Sequence, residues 1–177
     1  MSQEVLIENI EKHLKAIDVC LEQHLRMPAL ILIYSGIDIF ASLSIPRAKS
    51  KATRQDYIDW CEKYVLANRN IGCKGIDLYA ARCGVVHSYT MDSKLSDEGK
   101  ANAIVYSWGS AQPGTLQEAI DKAGLSAVVI HMDSLAAAFR EGVATFLTEL
   151  DTDNEKAELV INRARKLFNE RPKEKWY

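Results

Sequence analysis

Arg82-Cys83-Gly84-Val85-Val86-His87-Ser88-Tyr89 sets a permanent cation, an imidazole and a phenol into a segment that otherwise has the composition of a buried helix. The spacing is Arg-x4-His-x-Tyr. A guanidinium forks onto phosphate and an imidazole exchanges protons near neutral pH, so the pair can handle a phosphodiester without a metal. A histidine beside an apolar helix can equally be a hydrogen-bonded structural residue. With about 3.6 residues per turn, positions five apart stand roughly 140° from each other around a helix, while positions seven apart nearly coincide. Arg82 therefore shares a face with Tyr89 and not with His87. Convergence of Arg82 and His87 needs a long arginine reaching round, a helix loosened near Gly84 or ended before His87, or a second copy of the chain across a two-fold axis. The last option also supplies a second histidine.

Outward from this segment the chain reads as mostly helical. Val5, Ile7, Ile10, Leu14, Ile17, Leu21 and Leu25 recur at helical spacing and mark a first helix over about 3–25. Pro28 suits the first turn of a second helix that stops near Leu43, before Ile45-Pro46. Thr53 is a cap for a third, with Tyr57, Trp60, Cys61, Tyr64 and Val65 inward, broken at Asn68-Arg69-Asn70 and Gly72. The fourth, about 75–89, carries the motif. Met91 to Lys100 is the longest loop. Ile104 to Trp108 and Ala127 to Ile130 have strand composition and are expected to pair beside the bundle. Between them, Thr115 and Glu118 predict a capping box for a short helix closed by Gly124. Helices over about 133–150 and 154–169 follow, the last opened by a box from Thr152 to Glu155. The expectation is one domain over 1–177, a mainly α bundle of five to six helices with a two-stranded β insertion at about 102–131.

Composition narrows the function classes. A chain of 177 residues, 47% apolar and 26% charged, is an ordinary globular domain able to bury a core without staples. Its net charge of -2 gives no global attraction to nucleic acid or to an anionic membrane, so any RNA contact must rest on a local patch. Cys20, Cys61, Cys73 and Cys83 lack CxxC spacing, and the polar, acidic N-terminus does not read as a secretory leader; reduced thiols in a cytoplasmic protein are expected. The longest apolar run, Ala29 to Leu43, is too short to span a bilayer and carries Asp38, so it is read as a core helix.

The Arg-x4-His-x-Tyr pattern resembles the signature of the HEPN superfamily, small all-helical proteins that include metal-independent ribonucleases and the toxin halves of toxin–antitoxin pairs. The resemblance covers the motif helix firmly and the helical order around it loosely. It implies that Arg82 contacts phosphate, that His87 is the general acid/base, and that Tyr89 is the tyrosine which a partner nucleotidyltransferase modifies with AMP in the toxin branch. It also implies a composite site at a homodimer interface, RNA such as tRNA as substrate, and no metal or cofactor. One position departs from the pattern: active members often carry a polar residue directly after the arginine, where this chain has Cys83. The alternative is a non-catalytic bundle of the same kind that binds RNA, a nucleotide or a protein, with Arg82 in a structural ion pair.

Asp38 lies in a polar stripe with Tyr34 and Ser42 on an otherwise apolar helix. A buried carboxylate needs a partner, and Arg82 is one candidate; Arg26, Arg47 or water near the surface are the others. Cys83 and His87, four apart, are two ligands and do not make a zinc site. His13, His24 and His131 stand isolated and read as structural or exposed. Arg163, Arg165, Lys166, Arg171, Lys173 and Lys175 form a basic C-terminal strip, either facing RNA or simply solvated.

Overall fold

The computed structural model describes residues 3–88 and 93–167, with the side chains of His87, Ser88, Lys166 and Leu167 left aside. The expectations for Tyr89, Arg171, Lys173 and Lys175 lie outside the described residues, as do those for the side chains of His87 and Lys166. The chain is mainly helical with a small sheet, and the eight helices among the described residues exceed the five to six expected. In order they are α1 (Gln3–Glu22), α2 (Arg26–Ser44), α3 (Arg54–Trp60), a π-helical turn (Cys61–Leu66), α4 (Gly75–Ser88), α5 (Lys94–Asp97), β1 (Ala103–Ser107), α6 (Pro113–Lys122), β2 (Ala127–His131), α7 (Met132–Thr152) and α8 (Asn154–Leu167). Beyond the bundle, α5 is a single turn inside the segment expected to be loop, and α6 is the short helix expected between the two strands.

The central element is α2, which is apolar around most of its circumference and is accordingly packed by α1, α3, α4, α7 and α8. At 19 residues it is long and apolar enough to cross a membrane by length and composition, unlike the shorter run read from the sequence, and half of it is buried inside the bundle. Gly36 lets α1 and α7 approach: a Cβ there would stand 2.5 Å from the Phe139 ring and 2.8 Å from His13 Nε2. Below it, Phe40 stacks on Trp60 with ring centroids 5.4 Å apart, Phe139 and Phe146 pack edge-on against Phe40, and Tyr64 packs edge-on against Phe146. The π-helical turn presses its backbone against Gly142 of α7, where a Cβ would lie 2.8 Å from the Tyr64 carbonyl oxygen.

The sheet is parallel, with Ala103 opposite Ala127 and Ser107 opposite His131. A parallel pair needs a crossover, and α6 supplies it. On the outer edge of β2, the Gln117 side chain donates to the Ala127 carbonyl at 3.0 Å and accepts from the Val129 N–H at 2.8 Å, acting as a substitute strand. The Tyr34 and Tyr106 hydroxyls bond to each other in the interior and tie β1 to α2. Asp77 at the start of α4 is 1% exposed and accepts from the backbone N–H groups of Lys74 and Asn102 at 2.9 and 2.7 Å, joining the insertion to the motif helix.

Several helix ends differ from the sequence reading. Thr53 caps α3 as expected, and the structure adds the reciprocal box with Asp56. The Thr115–Glu118 box is absent, because α6 begins at Pro113, which is pre-set for a first helical turn. The Thr152–Glu155 box is likewise replaced: α7 continues through Thr152, and Asp153 caps α8 by accepting from the Lys156 N–H at 2.9 Å. His131 caps α7 through Nδ1 and meets the Gly109 carbonyl through Nε2, and His13 bonds the Leu32 carbonyl at 2.9 Å. All four cysteines are free.

Candidate functional site

The C-terminal part of α2 stops at Ser44 because Ile45 precedes Pro46 and turns to an extended conformation. The following loop, 46–53, leaves the bundle and returns at the cap of α3. Arg163 of α8 secures it, donating to the carbonyls of Leu43, Ile45, Pro46 and Lys49, the orphan acceptors of a helix end and its turn. Arg163 is thus a structural clasp rather than part of a free basic strip. Arg165 remains exposed, in contact with Asn162.

Between this loop, α2, α3, α4 and α8 lies an open cleft of about 880 Å³. Asp38 and Ser42 come from α2, Arg54 and Tyr57 from α3, Tyr79 and Arg82 from α4. Six cationic side chains line it against two carboxylates, Asp38 and Glu158, so a chain of net charge -2 concentrates a positive field in one concavity. Lys49 is held by Asp56 at 2.7 Å; that carboxyl is partly desolvated, but hydrogen bonds from Lys49 and Thr53 bring it down to about 2. Arg47 and Lys51 are exposed on the loop.

Of the alternatives open for Asp38, the structure selects Arg82, whose Nε donates to Asp38 Oδ2 at 2.7 Å. The two side chains are 23% and 36% exposed, so the pair sits on the cleft wall and not in the core. Burial pulls against the Arg82 charge, but the Asp38 hydrogen bond and field hold the guanidinium above its ordinary value, with Cys83 adding to them. The polar stripe on α2 divides accordingly: Tyr34 turns to Tyr106, Asp38 to Arg82, and Ser42 to the cleft.

Tyr57 was read only as a core residue, yet it also lines the cleft. It is 2% exposed, and among the described residues its hydroxyl has no nitrogen or oxygen partner, meeting the weakly bonding Cys61 thiol instead. Burial pushes that hydroxyl well above its usual value, the Cys61 thiol and Asp38 carboxylate adding to the effect and Arg82 opposing it. Its ring meets Tyr79 edge-on with centroids 5.4 Å apart, and the Arg54 guanidinium carbon lies 6.0 Å from the Tyr79 centroid.

The motif helix runs unbroken from Gly75 to Ser88. It is neither loosened at Gly84 nor ended before His87, so positions 82 and 87 keep the separation of roughly 140° that a regular helix imposes. Two of the three routes to convergence remain, a reaching arginine or a second subunit. Among the described residues no group of three His, Cys, Asp or Glu side chains could hold a metal ion. Comparison with protein-family models, curated proteins and solved structures finds no match to this chain. What the fold and the cleft define is a mainly helical protein with a cationic concavity beside its Arg-x4-His helix.

Proposed function

We propose that this protein acts on RNA as a HEPN-like endoribonuclease without metal, a toxin-like or stress effector working as a cytoplasmic homodimer. The observation that carries the reading is the position of Arg82, aimed by Asp38 on the wall of a cleft with surplus positive charge. Arg82 steadies the charge that builds on a phosphate oxygen. One imidazole takes the proton from the ribose 2′-hydroxyl, whose oxygen attacks phosphorus; the 5′-oxygen leaves and receives a proton from an acid. His87 fills one of these roles, and His87 of a second copy fills the other, since the helix keeps positions 82 and 87 apart within one chain. The products are a 2′,3′-cyclic phosphate and a 5′-hydroxyl. Tyr89 is the proposed point of restraint: AMP attached there by a nucleotidyltransferase adds bulk and negative charge seven residues from Arg82 in sequence.

A second reading is favoured by the same ion pair. With Asp38 neutralising Arg82 on an unbroken helix, the protein binds RNA, a nucleotide or a protein without cutting. Purified protein incubated with total tRNA in EDTA separates the two. The nuclease yields cyclic-phosphate ends, and His87→Ala loses about two to four orders of magnitude in rate. No cleavage, or cleavage that EDTA abolishes or that survives His87→Ala, overturns the nuclease.

A further inference from the structure

The cleft contains three features that a phosphate-contacting arginine alone does not require. The first is the buried Tyr57 hydroxyl, which among the described residues has no nitrogen or oxygen partner and only the weak Cys61 thiol beside it, in a cleft wide enough for a ligand of nucleotide size. A buried hydroxyl left unpaired costs free energy, which a bound group that hydrogen-bonds to it recovers. The second is the opposition of the Tyr79 ring and the Arg54 guanidinium at 6.0 Å. A flat base between two planes needs about 7 Å, twice a van der Waals contact of about 3.5 Å. Arg54 is exposed on a long flexible side chain and can widen the gap by that difference. The third is the pair Arg47 and Lys51, exposed cations on the loop that Arg163 clasps.

From these we infer that the cleft holds an unpaired nucleotide of an RNA single strand, its base between Tyr79 and Arg54, its sugar or base edge on the Tyr57 hydroxyl, and its backbone along Arg47, Lys51 and Arg82. The inference rests on the proposed action on RNA and names the form the RNA takes. Stacking on an aromatic ring and a guanidinium plane requires a base splayed out of a helix, so duplex RNA is excluded from this cleft. An acidic peptide would satisfy the cations, but the Asp and Glu side chains that bring its charge carry no ring to fill the Tyr79–Arg54 gap.

The test is binding of a labelled, short 2′-O-methyl RNA strand, which has no free 2′-hydroxyl to attack and is not cut, followed by fluorescence anisotropy. The single strand binds and its annealed duplex does not compete. Tyr79→Ala weakens binding about tenfold or more, and Arg54→Ala, a surface change that leaves the fold intact, weakens it severalfold. Tyr57→Phe weakens it about fivefold. Arg47→Ala with Lys51→Ala lowers the slope of log affinity against log salt by about 0.7 for each charge removed. Duplex binding as tight as the single strand overturns the inference, as does unchanged affinity in both Arg54→Ala and Tyr79→Ala. Free AMP or UMP competing as well as the strand overturns it too, since a mononucleotide would then be the ligand. If the strand binds in this pattern but tRNA is never cut, the nuclease fails and this inference stands. If tRNA is cut while the Arg54 and Tyr79 variants bind normally, the reverse holds.

Discussion

Tyr34 and Asp38 lie one turn apart on α2 and meet opposite environments. Tyr34 is fully buried and spends its hydroxyl on Tyr106, joining sheet to bundle. Asp38 reaches a cleft wall, where its partner Arg82 is itself partly exposed. Gly36 and Phe40, on one face of the helix, meet aromatic rings that leave no room for an added atom at Gly36. Asp38 and Ser42, on another face, border a concavity with the Tyr57 hydroxyl and exposed cations. One helix thus serves as core on one face and as site scaffold on another, and the two parts should respond differently to mutation.

The largest effect is expected where the closed part is filled. Phe139→Ala removes a fully buried ring packed on Phe40, Trp60 and His13, and should cost about 3–5 kcal/mol by urea denaturation; a loss under about 1 kcal/mol would mean that this part is no better packed than the cleft. Gly142→Ala follows. Its Cβ meets the backbone of the π-helical turn, which cannot swing aside like a side chain, so a loss of about 1–3 kcal/mol is expected.

The open part should yield less. In a double-mutant cycle of Asp38→Ala and Arg82→Ala, partial exposure limits the coupling energy to about 1 kcal/mol or below. A coupling of several kcal/mol would make the pair a core element and weaken the case for a site. The smallest effect concerns acid stability. Glu149 is partly desolvated, yet hydrogen bonds from Lys156, Lys63 and Tyr64 bring its carboxyl from 4.5 down to about 2. Its folded value lies below its unfolded one, so its contribution is present above about pH 4.5 and is lost as pH falls towards 2. Glu149→Gln should flatten the stability profile across that window and leave the cleft's properties at neutral pH unchanged.

Those elements whose cause is local could be read from the chain. The β-branched runs became β1 and β2 and pair as expected, whereas the parallel sense of the pair, which the α6 crossover allows, is seen only in the structure. Thr53 capped α3, and Gly124, at φ 67°, followed α6. Asp38 and Arg82 were recognisable as a candidate pair because a carboxylate in an apolar helix demands a partner. Other features depend on contacts distant in sequence. Nothing near Arg163 shows that it will clasp the end of α2, more than a hundred residues earlier. Nothing in Cys61–Leu66 predicts a π-helical turn, which answers to Gly142 of α7. Tyr57 carries a correct apolar spacing, and only its neighbours in space bring it to a cleft, with no nitrogen or oxygen partner for its hydroxyl among the described residues. The capping boxes misplaced at Thr115 and Thr152 were out-competed by Pro113 and Asp153, which stand closer to the true helix starts.

Gln117 carries a consequence for how this molecule behaves among its own copies. A two-stranded sheet has two edges, and a bare edge is a template onto which another chain can polymerise. The amide of Gln117 occupies the donor and acceptor of β2 that an incoming strand would need. Assembly through that edge, whether by strand exchange between protomers or by fibril growth, must first peel the Gln117 side chain away. The α6 crossover therefore serves the solubility of the chain as well as its topology.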